Sequence, residues 1–441
     1  MSRRSPRVFV GLVEKAGYYS RLASGFRQLG VKCTVCFITD HPFGYAEDCL
    51  ETRLTRWTRR AWAEVERARQ TGSVLKLAVR RLICFLARLA LFLEMATTHD
   101  VFVFGFGTTF FRGLDLRVLR VLGKKVVIAF NGSDHRPPYL NGLAWGDDAS
   151  ASLRKVADEA RRMKSLVTML ERNADVVVAH HLSAQFHEVP FVPFMHVGVP
   201  CNVPECETPR PRDPSQPIRI LHAPSMPWVK GTDRIRIAVA NLTRRGYPIE
   251  FVEISGRPNS EVLDELRRCD LVVDELYSDA RMAALASEAA MFAKPVVVAG
   301  YASDDMMRIP GRYEVSDFPP VLYCRPEEVE RAIETLINDA DARQKLGQGA
   351  RRFVEEHWRA DLVAARILNL VDGAKADYPS FDPSEIRYFH GFGMTEDRLL
   401  DVLKTYVATF GESALLLDDK PLLLHEIRRF LAHAPADSGA R

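Results

Sequence analysis

At 441 residues, with 47% hydrophobic and 27% charged side chains, the chain is long enough for two or three domains and too apolar to be disordered in bulk. Lys and Arg exceed Asp and Glu by only three, so the total charge gives no reason to expect a nucleic-acid partner, and eight scattered cysteines point to a reducing, cytoplasmic setting rather than a disulfide scaffold. The first apolar run meets Glu14 and Lys15 too early for a secretory leader, and the most apolar stretch, 75–96, carries Lys76, Arg80, Arg81 and Arg88 and falls short of a membrane span.

In chain order, 7–12 is a short apolar strand, followed by a loop with Gly11 and Gly17, a helical pattern over 19–29 closed by Gly30, and a β-branched strand over 31–38. Further strands are predicted at 101–104, 125–130 and 175–180, each followed by a polar or glycine-rich turn, as in a parallel sheet covered by helices. From 199 to 217 the pattern stops and prolines accumulate, which marks an interdomain linker. The alternation then resumes: strands at 218–222, 249–254, 270–273 and 295–299, and helices at 232–245, 261–268 and 279–293. Residues 326–376 read as two helices and 377–441 as a mostly helical extension. The expected organisation is a first Rossmann-like domain over 1–200, a linker over 201–217, a second domain over 218–375 and the extension over 376–441.

Ligands of open parallel sheets sit at the carboxyl ends of the strands, and two such domains facing one another leave a cleft. After the strand 218–222 comes Ala223-Pro224-Ser225-Met226-Pro227-Trp228-Val229-Lys230-Gly231-Thr232-Asp233, leading into a helix that Thr232 or Asp233 would cap. A helix N-terminus beside Lys230 suits a phosphate, although the P-loop spacing is absent; an ordinary capped helix with a solvated lysine reads the same way. The second constellation is Asp274-Glu275-Leu276-Tyr277 at a strand end, then Glu288 among small residues, where a carboxylate could accept two sugar hydroxyls or simply face solvent.

Taken together, HAPSMPWVKGTD and DLVVDELYSDARMAALASEAAMFAKPVVV closely resemble the donor domain of GT-B glycosyltransferases of the family 4 type, especially bacterial surface-polysaccharide enzymes. The resemblance extends to AGYYSRLASGFRQLG, DVFVFGFGTTFF, KKVVIAFNGSDHRPP and LINDADARQKLGQGARRFVEEHW, roughly residues 8–370. It implies two Rossmann-like domains facing a central cleft and transfer of a sugar, with retention, from a nucleotide-diphosphate sugar to a glycan or lipid-linked glycan acceptor. It places Lys230 on the donor diphosphate, Glu288 on the nucleotide ribose, and Asp274–Tyr277 on the base or sugar, with Ser225, Gly231 and Thr232 beside them. Gly17, Asn131, Gly132, Asp134 and Arg136 would face the acceptor or sugar side, Asp134 as a polar residue of the catalytic cleft. Three departures stand out: Ala280 where the family has the first acid of a Glu-x7-Glu pair, no Arg preceding Lys230, and Asn131 where many members have His. No nucleophile is named. Without the second cation, Lys230 would act together with the helix dipole. An epimerase of the same fold, acting on the nucleotide sugar, and a non-catalytic scaffold are the alternatives.

No metal or other cofactor is expected. Cys33 and Cys36 point to opposite faces of a strand, Cys201 and Cys206 supply two ligands where a structural zinc needs four, and Asp339 and Asp341 fit a helix cap. Residues 52–93 hold ten Arg or Lys against two Glu, leaving the rest of the chain net negative. Lys76, Arg80, Arg81 and Arg88 fall on one arc of a helix whose remaining face is apolar. Two expectations follow: a peripheral contact with an anionic inner leaflet, or a surface helix that buries its apolar side and solvates the basic stripe. Nucleic acid fits less well, because the aromatics there form no stacking platform.

Overall fold

The computed structural model describes residues 5–39, 41–45, 52–70, 72–105, 107–146, 152–204, 215–309 and 317–432. Most of the predicted linker, residues 205–214, and the extreme C-terminus lie outside them. The first unit is a parallel sheet in the order β2-β1-β3-β4-β5-β6, built from β1 (Arg7–Leu12), β2 (Lys32–Phe37), β3 (Val101–Gly105), β4 (Lys125–Ala129), β5 (Val176–Ala179) and β6 (Val192–Pro193). The second is a parallel sheet in the order β11-β10-β9-β7-β8, from β7 (Ile218–His222), β8 (Ile249–Glu253), β9 (Leu271–Val273), β10 (Val296–Ala299) and β11 (Leu322–Cys324). Helices cover both faces, so the central strands are buried on both sides and consist of near-continuous runs such as Val176-Val177-Val178-Ala179. Two such units opposed across a cavity are the GT-B architecture.

Several predicted elements shift. The helix expected at 279–293 is Ala284–Met291, because Ser278, Asp279 and Ala280 are held in a turn: the Ser278 hydroxyl contacts both the carbonyl and the N–H of Ala280, at 2.7 and 3.1 Å. Residues 326–376 contain three α-helices rather than two, Val329–Asn338, Ala340–His357 and Ala360–Val371, and Asp339 caps the second through the Ala342 N–H at 2.8 Å. The third of these, placed with the second unit by sequence, returns to the first. It packs on the helix Tyr18–Gln28, and backbone bonds of Cys201 with Trp358 (2.8 Å) and Ala360 (3.0 Å) fix the crossing. Burial of Val363, Ala364, Ile367 and Leu370 gives it a reason to do so.

The helix Val74–Thr98 meets the expectation that its apolar side is buried only toward its C-terminal end, where Leu91, Phe92, Met95 and Ala96 enter the main core. It packs on the helix Arg53–Gln70 through a narrow face with Cys84 and Ala87, and it turns Leu75, Val79, Leu82, Phe85, Leu86 and Leu93 to solvent, with Leu75 76% exposed. The helix Leu114–Val121 likewise exposes Leu114, Val118 and Val121. The helix Val74–Thr98 meets the loop that leads into Leu114–Val121 by contact of Phe85 with Phe111 at 5.4 Å and a bond from Arg88 Nη2 to the Thr109 carbonyl at 3.0 Å. No helix among the described residues is long and apolar enough to cross a membrane.

Candidate functional site

A cavity of about 590 Å³ opens between the carboxyl ends of the two sheets. Its walls come from the loops after β1, β2, β4, β5 and β6 on one side and after β7 and β9 on the other, where unpaired loop side chains can converge. Of the residues singled out from sequence, Asn131, Gly132, Arg136, Ser225, Lys230 and Asp274 line it; Gly17, Asp134, Gly231, Thr232, Tyr277 and Glu288 do not.

Lys230 ends the short helical turn Pro227–Lys230 and forms an ion pair with Glu275, whose other oxygen takes the Ser278 hydroxyl at 2.6 Å. Burial alone would lower the lysine pKa, but the charges of Glu275 and Asp274 outweigh it and hold the ammonium above its ordinary value. Burial pushes the Asp274 carboxyl up to about 7, against the pull of Lys230. Here the structure departs from the expected helix cap. The helix Thr232–Arg244 starts from Gly231, at φ 73°, where a Cβ would lie 2.9 Å from that of Leu276. Thr232 is fully buried and its hydroxyl meets Nε2 of His222 at 2.8 Å, while His222 Nδ1 meets the Val273 carbonyl at 2.8 Å. Thr232 therefore ties the helix to the sheet, and the His222 pKa, lowered by burial to about 4, keeps that ring neutral.

Glu288 is 1% exposed and does not line the cavity. One oxygen pairs with Arg21 of the first unit, and the other accepts from Asn259 Nδ2 at 3.0 Å. Asn259 also meets Tyr45 Oη at 3.0 Å and donates its backbone N–H to the Phe43 carbonyl at 3.0 Å. The expected ribose ligand is thus the centre of a contact between the two units. Tyr277 lies alongside Tyr301, ring centroids 6.4 Å apart.

On the first unit, Asp134 Oδ1 accepts the backbone N–H groups of Asn131 and Gly132, both at 2.9 Å, and so shapes the turn after β4. Burial raises its pKa to about 6, with those backbone bonds and the charge of Lys15 opposing. It sits behind the wall that Asn131 and Gly132 form, and Tyr19 Oη lies 2.6 Å from Asn131 Oδ1. Gly17, at φ 78°, starts the helix Tyr18–Gln28 just behind Lys15 and Ala16, which line the cavity. Arg136 forms a buried ion pair with Asp279 of the second unit, with Nε at 3.1 Å from the carboxylate. Burial would raise the Asp279 pKa, but Arg136 overrides it and holds the group ionised.

Sequence reasoning missed Glu14, Lys15, Asp279 and Phe392, all at the cavity. It also missed a buried chain behind the wall: Ser183 Oγ to His135 Nε2 at 3.3 Å, His135 Nδ1 to His187 Nε2 at 3.0 Å, and His187 Nδ1 to Glu171 at 3.0 Å. The one local signal for Phe392 was its position between Gly391 and Gly393. With Lys15, Arg136 and Lys230 set among four carboxylates, the cavity has cations for phosphate oxygens and acceptors for hydroxyls. Among the described residues no group of three or more His, Cys, Asp or Glu is placed to hold a metal ion.

No protein-family model matches this sequence, and no curated protein matches it. Among solved structures, sucrose-phosphate synthase from Thermosynechococcus elongatus is similar at 13% identity, covering 85% of this chain and all of that one, with a TM-score of 0.49. A glycosyltransferase from Rickettsia africae matches at 12% identity over 84% of this chain and 98% of that one, TM-score 0.49. Anabaena HepE in complex with UDP and glucose matches at 12% identity over 84% and 100% of the two chains, TM-score 0.46.

Proposed function

We propose that the protein is a glycosyltransferase that binds a nucleotide-diphosphate sugar in the cavity and transfers the sugar, with retention, to a glycan or lipid-linked glycan acceptor in bacterial polysaccharide synthesis. The observation that carries this reading is the placement of Lys230, a partly buried cation, in a hydroxyl-acceptor-rich cavity between the carboxyl edges of two parallel sheets. The sequence resemblance supports the class of donor and the stereochemistry. Departure of a nucleoside diphosphate builds negative charge on its terminal oxygen, and a cation already fixed there stabilises that charge without having to reorganise during the reaction. Lys230 would supply that cation, while Asn131 and the carboxylates of Asp274 and Glu275 would offer partners for sugar or ribose hydroxyls.

The acceptor side of the proposal rests on the outward face of the helix Val74–Thr98. Its exposed Leu, Val and Phe side chains, flanked by Lys76, Arg80 and Arg81, suit the headgroup layer of an anionic leaflet in which a lipid-linked acceptor would lie. A thermal-shift panel with UDP, GDP, ADP, CMP and dTDP tests the donor site: one base is expected to stabilise the protein selectively, and Lys230→Ala to lose that shift. Product analysis with the sugar of that nucleotide then decides between transfer and epimerisation. Absence of any shift, with or without lipid vesicles, would overturn the reading in favour of a scaffold.

A further inference from the structure

The C-terminal extension does not stand apart from the two sheets; it threads between them at the base of the cavity. Phe392 donates its N–H to the Leu140 carbonyl at 3.1 Å and accepts from the Gly142 N–H at 2.7 Å, both in the first unit. The next residue, Gly393, donates to the Tyr277 carbonyl of the second unit at 3.2 Å. The flanking glycines fit because they lack side chains: at Gly391 a Cβ would lie 1.9 Å from the Leu140 oxygen, and at Gly393 2.6 Å from a Val229 methyl, both with φ above 70°. Phe392 is thus the side chain that this segment presents to the cavity.

Its ring is shared by two cations of different origin. The Arg136 guanidinium, from the loop after β4, lies 4.9 Å from the ring centroid, and the Lys230 ammonium, from the loop after β7, lies 5.5 Å from it. The two charges therefore stand no further apart than the sum of those distances. Like charges this close repel, and the electron-rich ring face offsets part of that cost. Glu275 and Asp279 neutralise the pair at rest, and a ligand bearing several negative charges would compete for the same two cations.

We propose that Phe392 is a positioning residue that assembles Arg136 and Lys230 into a two-cation clamp for a diphosphate, so that the C-terminal extension completes the donor site. The proposal rests on the nucleotide-sugar reading for its ligand. It also supplies, from the opposite sheet, the second cation that the sequence Ser225-Met226-Pro227-Trp228-Val229-Lys230 lacks.

Calorimetric titration of the full chain with inorganic pyrophosphate, inorganic phosphate, the five nucleotides named above, and UMP and AMP in addition tests it. The clamp requires tighter binding of pyrophosphate than of phosphate, and Phe392→Leu, which keeps the backbone bonds and most of the volume, should weaken diphosphate binding about three- to thirtyfold while leaving the monophosphates unchanged. Phe392→Tyr should restore it, a rescue that a purely space-filling role would not distinguish from Leu. Arg136→Gln should cost at least as much as Phe392→Leu. Wild-type diphosphate affinity in both Phe392→Leu and Arg136→Gln, with loss in Lys230→Ala, would overturn the clamp and leave the nucleotide-sugar reading standing. Pyrophosphate binding that depends on Phe392 without binding of any nucleotide would keep the clamp and sink that reading. Failure of the wild type to bind any of these probes would overturn both.

Discussion

Replacement of Glu288 by Ala separates a ligand contact from a structural one. In the structure Glu288 is 1% exposed and its partner Arg21 11%, so the variant would leave a guanidinium buried with its counter-charge gone, and Asn259 Nδ2 with only the Tyr45 hydroxyl as its acceptor. Breaking a buried pair from one side costs about 3–5 kcal/mol, because the remaining charge keeps its desolvation penalty and loses the attraction that offset it. Replacing both partners with apolar residues of similar size removes the penalty as well, so Arg21→Met with Glu288→Leu should recover most of the loss. Urea denaturation followed by tryptophan fluorescence reads both. We expect Glu288→Ala to fall by about 3 kcal/mol or more and the double variant to lie within about 1.5 kcal/mol of wild type. A Glu288→Ala protein as stable as wild type, with nucleotide binding abolished, would refute this reasoning and return Glu288 to the ribose role that the sequence resemblance implies.

Two titrating groups should move stability with pH in opposite directions. Burial lowers the His181 pKa from 6.5 to about 3, so between those values the unfolded chain binds the extra proton and this group's contribution rises with pH; His181→Phe should therefore narrow the loss between pH 7.5 and 5 by about 2 kcal/mol in urea titrations. Burial raises Asp274 from 3.8 to about 7, so there the folded protein holds the extra proton and the contribution falls as pH rises; Asp274→Asn should widen the same pH difference, and a change of the other sign would contradict its placement. On the outer face, Leu82→Glu with Leu86→Glu should weaken sedimentation with anionic vesicles at least about tenfold and leave the melting temperature within a degree or two, since both side chains are about half exposed. Equal vesicle binding by the double variant would exclude this face as the membrane contact.

The sequence alone determined the two sheets. Apolar β-branched runs separated by glycine turns and helical periods leave few arrangements other than parallel strands with crossover helices, and strands such as Lys125–Ala129 and Ile218–His222 fall within a residue or so of their predicted bounds. The loop carrying Lys230 was legible for the same reason, since chemistry in such sheets collects just after the strands. Periodicity reports which face a side chain occupies and never what stands opposite it. Arg21 and Glu288 are 267 residues apart, Arg136 and Asp279 143 apart, so only tertiary structure could show that the expected ribose ligand also holds an ion pair between the two units. The helix Val74–Thr98 shows the same limit: its amphipathic pattern fixed an apolar stripe, and packing decided that Cys84 and Ala87 face Arg53–Gln70, that Leu91, Phe92, Met95 and Ala96 enter the main core, and that Leu75, Val79, Leu82, Phe85 and Leu86 stay outward. Phe392 lay in an extension read only as mostly helical, and its place between two cations follows from backbone bonds to both units that no local sequence encodes.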